Sequence, residues 1–462
     1  MLCLKFIQRM IGLAVLIGCI STVSFSAELP EETLPVRVSL TYGMSGANNA
    51  TLLSDGGFRL SVEDYGEEPA VIDVNTLVLT ATDGMLHVNT LFDETVAAVP
   101  LSEKIRISPV LPDTLITYGQ KDYRGTLEVS LNAEGTLSVI NELELEDYLR
   151  GVLPSEVYPS WPADALKTAA VAARTYALRS MLSSSHTKNG FDLCSTTHCQ
   201  VYGGASKENK RTDAALADTA GLVLKYKGTL ATTPYHSSSG GYTESASAAW
   251  GSSSKDYPYL ASVFTPYEDY RNVPNGKWET IITPEELPTR IAAAYANRLT
   301  DGIADIQYTR ADNGYIEHMT VTDGAGNTYS FNTSDRVRSF FGSSLVKSAN
   351  FAIAEAYVPS EEVTPVITVI SADGIHEKTV IDGYDYVTAK GVETTNGLQK
   401  VLVFDGNGYG HGVGLSQFGA RCMADAGFTY EEILQTYFPG TSLEPLFSGT
   451  PDGTDIPDNE QE

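Results

Sequence analysis

Residues 151–180, GVLPSEVYPSWPADALKTAAVAARTYALRS, place the carboxylate of Glu156 on a short turn between Pro154 and Pro159. Its sequence neighbours Val152, Leu153, Val157 and Trp161 are apolar. A carboxyl group among such neighbours keeps its proton near neutral pH and can hand it to a leaving oxygen, as glycosidic cleavage requires. The same residue also fits an ordinary helix start, because acidic groups favour the positive end of a helix. Arg174 follows 18 residues later. It could orient Glu156 or bind a sugar N-acetyl group, or it could form a surface ion pair worth little. Most glycosidases pair two carboxylates. Glu146, Asp147, Asp164 and Glu244 are the candidates for a second.

A second constellation is His186, Cys194, His198 and Cys199. Thiolates and imidazoles are the ligands of tetrahedral zinc, and four of them in one loop suit a structural ion. A Cys194–Cys199 disulfide or two free thiols are the other readings, the disulfide needing an oxidising compartment. Tyr235–Glu244, YHSSSGGYTE, is a glycine- and serine-rich loop whose hydroxyls, Ser239 among them, suit a sugar-binding groove. Residues 408–419, GYGHGVGLSQFG, lack the lysine and the βαβ setting of a nucleotide loop, so their glycines read as tight backbone turns. His411, Ser416 and Gln417 from this run either line the cleft near Glu156 or serve as core and capping groups. Cys422 reads as a small buried residue. No G-x-S-x-G or H-E-x-x-H motif is present; His376-Glu377 lacks the second histidine.

The elements that must position these groups give an α+β pattern: a β-rich body, one central Ala-rich helix and peripheral helices. Leu166, Ala169, Ala170, Ala173, Ala177 and Ser180 recur at helical spacing, with Pro162 in the first turn. Residues 123–145 read as a hairpin turning at Asn132–Gly135, and 429–438 as a helix stopped by Pro439-Gly440. Segments 222–226, 232–236, 316–321, 328–331 and 366–403 read as strands, and 284–299 as a helix. Strand-like alternation over 36–116 suggests a small β-rich accessory domain. The expected organisation is a targeting segment at 1–27, the accessory domain at 28–118, a catalytic domain at 119–447 and a disordered acidic tail at 448–462.

The chain has 462 residues, 42% hydrophobic and 19% charged, with a formal net charge of −27. That balance excludes a nucleic-acid partner, which needs clustered basic residues. Lys5 and Arg9, the apolar run 11–20 and small residues up to Ala27 form a signal-peptide layout. Residues 16–19, LIGC, also fit a lipoprotein box with Cys19 lipidated, and an uncleaved anchor is the third reading. Each sends the protein outside the cytoplasmic membrane, with membrane attachment through the N-terminus in two of the three.

Three blocks in order resemble the stage II sporulation protein D / LytB-type family of bacterial cell-wall proteins. They are YLRGVLPSEVYPSWPADALKTAAVAARTYAL, DLCSTTHCQVYGG with the later YHSSSGGYTES, and GYGHGVGLSQFGARCMADAGFTYEEILQTYFPGTSL. The resemblance runs from about Tyr123 to Leu443. It implies a peptidoglycan lytic transglycosylase acting on MurNAc–GlcNAc bonds, with Glu156 at the catalytic position and Arg174 at that of an active-site arginine. One glutamate then serves as acid and as base, and the muramyl 6-hydroxyl replaces water to leave a 1,6-anhydro sugar. The resemblance also places Thr243 and Tyr259 at substrate-contacting positions. Some family members hold zinc with a similar His/Cys set, and others lack it. LytB-type members imply a different role, stimulation of a cell-wall amidase partner without turnover. Sporulation members act after an amidase has removed the peptides, which implies peptide-stripped glycan strands as substrate.

Overall fold

A computed structural model describes residues 34–446, apart from 63–67, 93, 184–185, 270, 292–294, 296–297, 360–365, 372–373, 380–383, 389–390 and 396–397. The targeting segment and the acidic tail lie outside the described residues. The fold is α+β, as the sequence pattern indicates.

A seven-stranded sheet runs in the order Leu193–Cys194, Pro35–Ser39, Leu137–Glu144, Thr126–Leu131, Ile105–Pro109, Phe58–Val62 and Ala70–Ile72. The expected hairpin is its centre, pairing Leu131 with Leu137 and Val129 with Val139. A six-stranded antiparallel sheet built around Asn49–Leu53, Thr76–Thr82 and Met85–Thr90 shares its core. Leu52, Leu77, Leu79 and Val88 lie in one apolar cluster with Phe58, Ile107, Leu127 and Val129 of the first sheet.

The expected boundary at residue 118 falls between strands of one sheet. Strands from both sides of it pair in one sheet: Val36 faces Leu143, and Ile107 faces Leu127. Separating the two sides would leave the backbone groups along that seam without their strand partners. A different part of the chain has its own core. Trp278, Ile316, Phe331, Phe340, Phe351 and Phe404 form an apolar cluster over residues 277–407. Of the expected 284–299 helix, the described residues show helix at Leu287–Arg290 and at Tyr295.

Two helices connect the sheets to the site. Helix α1, Leu145–Glu156, was not expected; its buried face of Leu145, Tyr148, Leu149, Val152 and Leu153 has helical spacing. Helix α2, Ala163–Leu182, is the Ala-rich helix, with Pro162 as its cap rather than in its first turn. Ala170, Ala173 and Ala177 of α2 face the sheet cluster. Val171 and Ala172 face a third cluster holding Leu224, Leu415, Ile433 and Tyr437. A helix packed on two sides needs small side chains, which let backbones approach closely. The last expected helix spans Tyr430–Tyr437, started by a Thr429/Glu432 capping box.

A chain beginning at residue 119 would lose the strands that cover both edges of the central hairpin. It is expected to show no cooperative unfolding transition by circular dichroism. A cooperative transition like that of the full chain would restore the separable accessory domain.

Candidate active site

Glu156 ends α1 instead of standing in a free turn, with Pro154 inside the last helical turn. Its helix points its negative end at the carboxyl, which disfavours ionisation. Three donors oppose that. The Val201 N–H donates to Oε1 at 2.7 Å. Gln417 Nε2 donates to Oε2 at 3.4 Å and to the Glu156 carbonyl at 3.2 Å. The Tyr235 hydroxyl, the third, also favours the ionised form. Burial outweighs all three and raises the Glu156 carboxyl above its ordinary value. Beside it, Tyr158 is 58% exposed, with its ring 5.7 Å from Trp161 and 6.3 Å from Phe418. An open aromatic face next to an acid suits a sugar ring.

Of the binding residues expected from sequence, Gln417 alone is hydrogen-bonded to Glu156 among the described residues. Arg174 is fully buried and faces elsewhere: Nε and Nη2 pair with the Glu146 carboxylate at 2.6 and 2.9 Å, and Nη2 also meets the Leu216 carbonyl. This ion pair pins α2 to the start of α1. Thr243 Oγ1 accepts the Val263 N–H at 2.7 Å, and the Tyr259 hydroxyl accepts the Thr232 N–H at 2.9 Å. Ser239 Oγ donates to Glu268 at 2.6 Å. His411 Nδ1 accepts the Val413 N–H at 3.0 Å, and its ring lies 5.5 Å from His236 and 5.3 Å from Trp250. Burial lowers it to about 4, which keeps it neutral. All five are engaged with other groups of the protein.

The candidate second carboxylates are likewise engaged. Glu146 holds Arg174, and Asp147 lies 3.4 Å from Arg150. Asp164 accepts the Tyr430 N–H at 3.1 Å, and Glu244 accepts the Ser245 N–H at 2.7 Å. None of them is hydrogen-bonded to Glu156 among the described residues.

Sequence reasoning missed Glu268. This buried carboxylate accepts from the Ser238, Ser239 and Ser416 hydroxyls at 2.5, 2.6 and 2.7 Å. It joins the serine loop to the glycine run, whose strand Leu415–Ser416 pairs parallel with Tyr235–His236. Gly410 takes φ +115°, and a Cβ there would sit 2.7 Å from that of His236. Sequence reasoning gave no separate role to Val201, Gln200 and Tyr235, although all three lie within the quoted blocks, since backbone donors and phenols carry no pattern of their own.

The four expected metal ligands converge. One ligand atom from each of His186, Cys194, His198 and Cys199 lies within 4.8 Å of the others. His186 Nε2 is 3.3 Å from Cys199 Sγ, and His198 Nδ1 is 3.4 Å from Cys199 Sγ and 3.7 Å from Cys194 Sγ. A tetrahedral zinc with usual bond lengths has sulfur–nitrogen edges of about 3.5 Å, so the donor set fits one. Both thiols are free. The adjacency of His198 and Cys199 is accommodated because His198 reaches inward through Nδ1.

The loop carrying these ligands also carries the groups around Glu156. Leu193–Cys194 pairs with Val38 and Ser39, and Arg37 holds Asp192 and Gly190. At the far end Gln200 and Val201 directly follow Cys199.

The family model described as Stage II sporulation protein matches residues 133–226, a span that contains Glu156, Arg174, all four metal-site residues, Gln200 and Val201. An uncharacterized protein of Brachyspira hyodysenteriae is 32% identical, over 70% of this chain and 72% of its own length. The chain belongs to the SpoIID/LytB family. The amidase enhancer of Bacillus subtilis is 34% identical over 64% of this chain, and the match spans only 40% of that longer protein. Stage II sporulation protein D of the same organism is 26% identical, over 66% of this chain and 75% of its own length. Membership gives the chain a cell-wall-related role. Within the SpoIID/LytB chain, Gln417 comes to the acid from outside the matched segment.

A raised carboxyl also marks stability. Folded Glu156 binds its proton more tightly than the unfolded chain does, so ionising it costs stability. That cost is absent below the ordinary carboxylate range and complete once pH passes the folded value. Glu156→Gln is therefore expected to raise the thermal midpoint relative to the parent at pH 7. The difference should shrink as pH falls to about 4, near the ordinary glutamate value. A midpoint difference independent of pH would show that Glu156 ionises as freely folded as unfolded.

Proposed function

We propose that the protein is a peptidoglycan lytic transglycosylase of the extracytoplasmic space, cleaving the MurNAc–GlcNAc bond with Glu156 alone as acid and base. The observation that carries the reading is the Glu156 carboxyl itself: raised by burial, beside an exposed tyrosine, with no second carboxylate bonded to it among the described residues. Protonated Glu156 gives its proton to the glycosidic oxygen as the bond to the muramyl C1 breaks. The carboxylate then takes the proton of the muramyl 6-hydroxyl, whose oxygen closes on C1. No water is consumed, and the acid is restored. A hydrolase would need a group to activate water on the opposite face, and the four candidate carboxylates are committed elsewhere.

Mass spectrometry of products from peptide-stripped glycan strands tests this. The expected product is lighter by one water than the hydrolytic one. Glu156→Gln should slow its release by about 10²–10⁴-fold, the usual loss of a general acid. Hydrolytic product, or a variant within a few-fold of the parent, would reject the assignment. Stripped strands should be cut faster than intact peptidoglycan, in sporulation or in wall remodelling.

The second reading, a modifier that stimulates a cell-wall amidase, is favoured by the likeness to the Bacillus subtilis amidase enhancer. It predicts amidase stimulation that survives Glu156→Gln. In either role the N-terminal segment is proposed to export the chain, as a secretory signal, a lipoprotein signal lipidated at Cys19 or an uncleaved anchor.

His186, Cys194, His198 and Cys199 are proposed to hold a structural zinc ion. When bound, the ion supplies a cross-link for the 186–199 loop and no reacting group. About one zinc per chain is expected after purification under reducing conditions, lost in Cys194→Ser. A metal-free chain lighter by two hydrogens after oxidation would establish the disulfide instead.

A further inference from the structure

A cavity of 460 Å³ lies on the outer face of the seven-stranded sheet, apart from Glu156. Strand alternation builds its floor. Arg59 faces Ser108 across the Phe58–Val62 and Ile105–Pro109 strands. Ile107 faces Leu127, which brings Thr126 beside Ser108. Leu60, Ile107 and Leu127 are buried in the sheet core, so Arg59, Ser108 and Thr126, one step along each strand, turn to the opposite face. Residues 109–114, PVLPDT, line the same cavity, together with Arg124 and with Asp147 of α1. Asp147 precedes Glu156 by nine residues on that helix, about 13 Å along its axis, so the cavity and the acid are separate places.

The lining carries polar groups that the protein does not use. Arg59 is exposed and meets no carboxylate among the described residues. Arg124 gives Nε and Nη2 to Glu208 at 2.6 and 2.9 Å, and its Nη1 has no partner among the described residues. The hydroxyls of Ser108, Thr114 and Thr126 make no hydrogen bond to the described residues, and the Asp113 carboxylate is exposed and accepts none from them. Both signs of charge therefore stand open beside an apolar edge of Val110 and Leu111, the latter 54% exposed. This set selects against several ligands. No aromatic side chain lines the cavity, so a sugar ring has no face to stack on. Asp113 and Asp147 repel a polyanion, and the guanidinium groups repel a metal ion.

We propose that this cavity binds a short zwitterionic peptide, of the kind that bacterial cell walls carry as stem peptides, with its carboxylate on Arg59 and Arg124 and its ammonium on Asp113. A guanidinium pairs with a carboxylate through directed, charge-assisted hydrogen bonds. The free hydroxyls suit the peptide amides, and Val110 and Leu111 suit small apolar side chains. The volume lies in the usual range for small-molecule sites, about 300–1,000 Å³. The proposal draws on the cell-wall-related role of the family and not on the chemistry of Glu156, so either one stands if the other fails.

Calorimetric titration of the full chain with a synthetic stem pentapeptide, lysine at its third position, tests this. Saturable binding of one peptide per chain is expected, weakening as salt is added. Arg59→Gln and Asp113→Asn should each weaken it about tenfold or more, the scale of one hydrogen bond to a charged group. Both side chains are exposed, and asparagine tolerates the φ of +64° at position 113, so neither change disturbs the fold. Amidating the carboxylates of the peptide, or acetylating its amines, should weaken binding to the parent chain likewise. The same peptide attached to a MurNAc–GlcNAc disaccharide separates the two sources. Equal binding of that form supports a site for wall-attached stems, and binding of the free peptide alone supports a site for released ones. No saturable binding of either at millimolar concentration, or binding unchanged in both variants, would overturn the proposal.

Discussion

The hydrogen bond from the Val201 amide to the Glu156 carboxyl, 2.7 Å long, joins two parts of the chain that the rest of the structure exists to hold still. One end is the last residue of α1. That helix is fixed by Leu149 and Val152 in the sheet core and by the Arg174–Glu146 pair that ties it to α2. The other end is a loop without regular structure between Leu193–Cys194 and Ala205–Lys207. Such a loop stays in place only through specific anchors. Those are the parallel pairing to Val38 and Ser39, the Tyr202 hydroxyl on Asn141, the Gly203 N–H on the Gly151 carbonyl, and the His/Cys cluster.

Gly151 shows how tight this docking is. A Cβ at that position would lie 2.5 Å from the Tyr202 ring, so α1 carries a glycine in its middle despite the cost to helix propensity. On the opposite side Glu268 gathers three serine hydroxyls and brings the glycine run under the acid, which places Gln417. The acid is thus enclosed by parts drawn from α1, the metal-ligand loop, strand 235–236 and helix 417–425. Burial, not a charged neighbour, is what raises its proton affinity.

The parts of this arrangement carried by periodicity and motif were readable in the sequence. The alanine spacing of α2, the 126–144 hairpin and the Thr429 helix start follow from local chemistry, Glu156 and Gln417 lie in recognised blocks, and the four metal-site residues stood out by ligand type. Helix α1 was hidden because Pro154 and a run of acids masked a helical face of Leu145, Tyr148, Leu149 and Val152. The pairing of strands from both sides of residue 118 was hidden because alternation shows a strand and not its partner, and Ile107 gives no sign that it pairs with Leu127. Arg174 misled for a related reason. Sequence gives the distance from Glu156 along the chain, while the helix turns the guanidinium toward Glu146. The hydrogen bonds of Gln200 to Tyr148 and Tyr235 join residues 148, 200 and 235, and no spacing rule links them.

The dependence of the acid on its loop is tested most directly by hydrogen exchange at the Val201 amide, measured in the metal-free chain and after addition of one equivalent of zinc. The structure predicts strong protection with zinc and faster exchange without it, while amides of the 126–144 hairpin stay equally protected in both. Equal protection at Val201 in the two states would show that the His/Cys cluster does not hold the amide that faces Glu156.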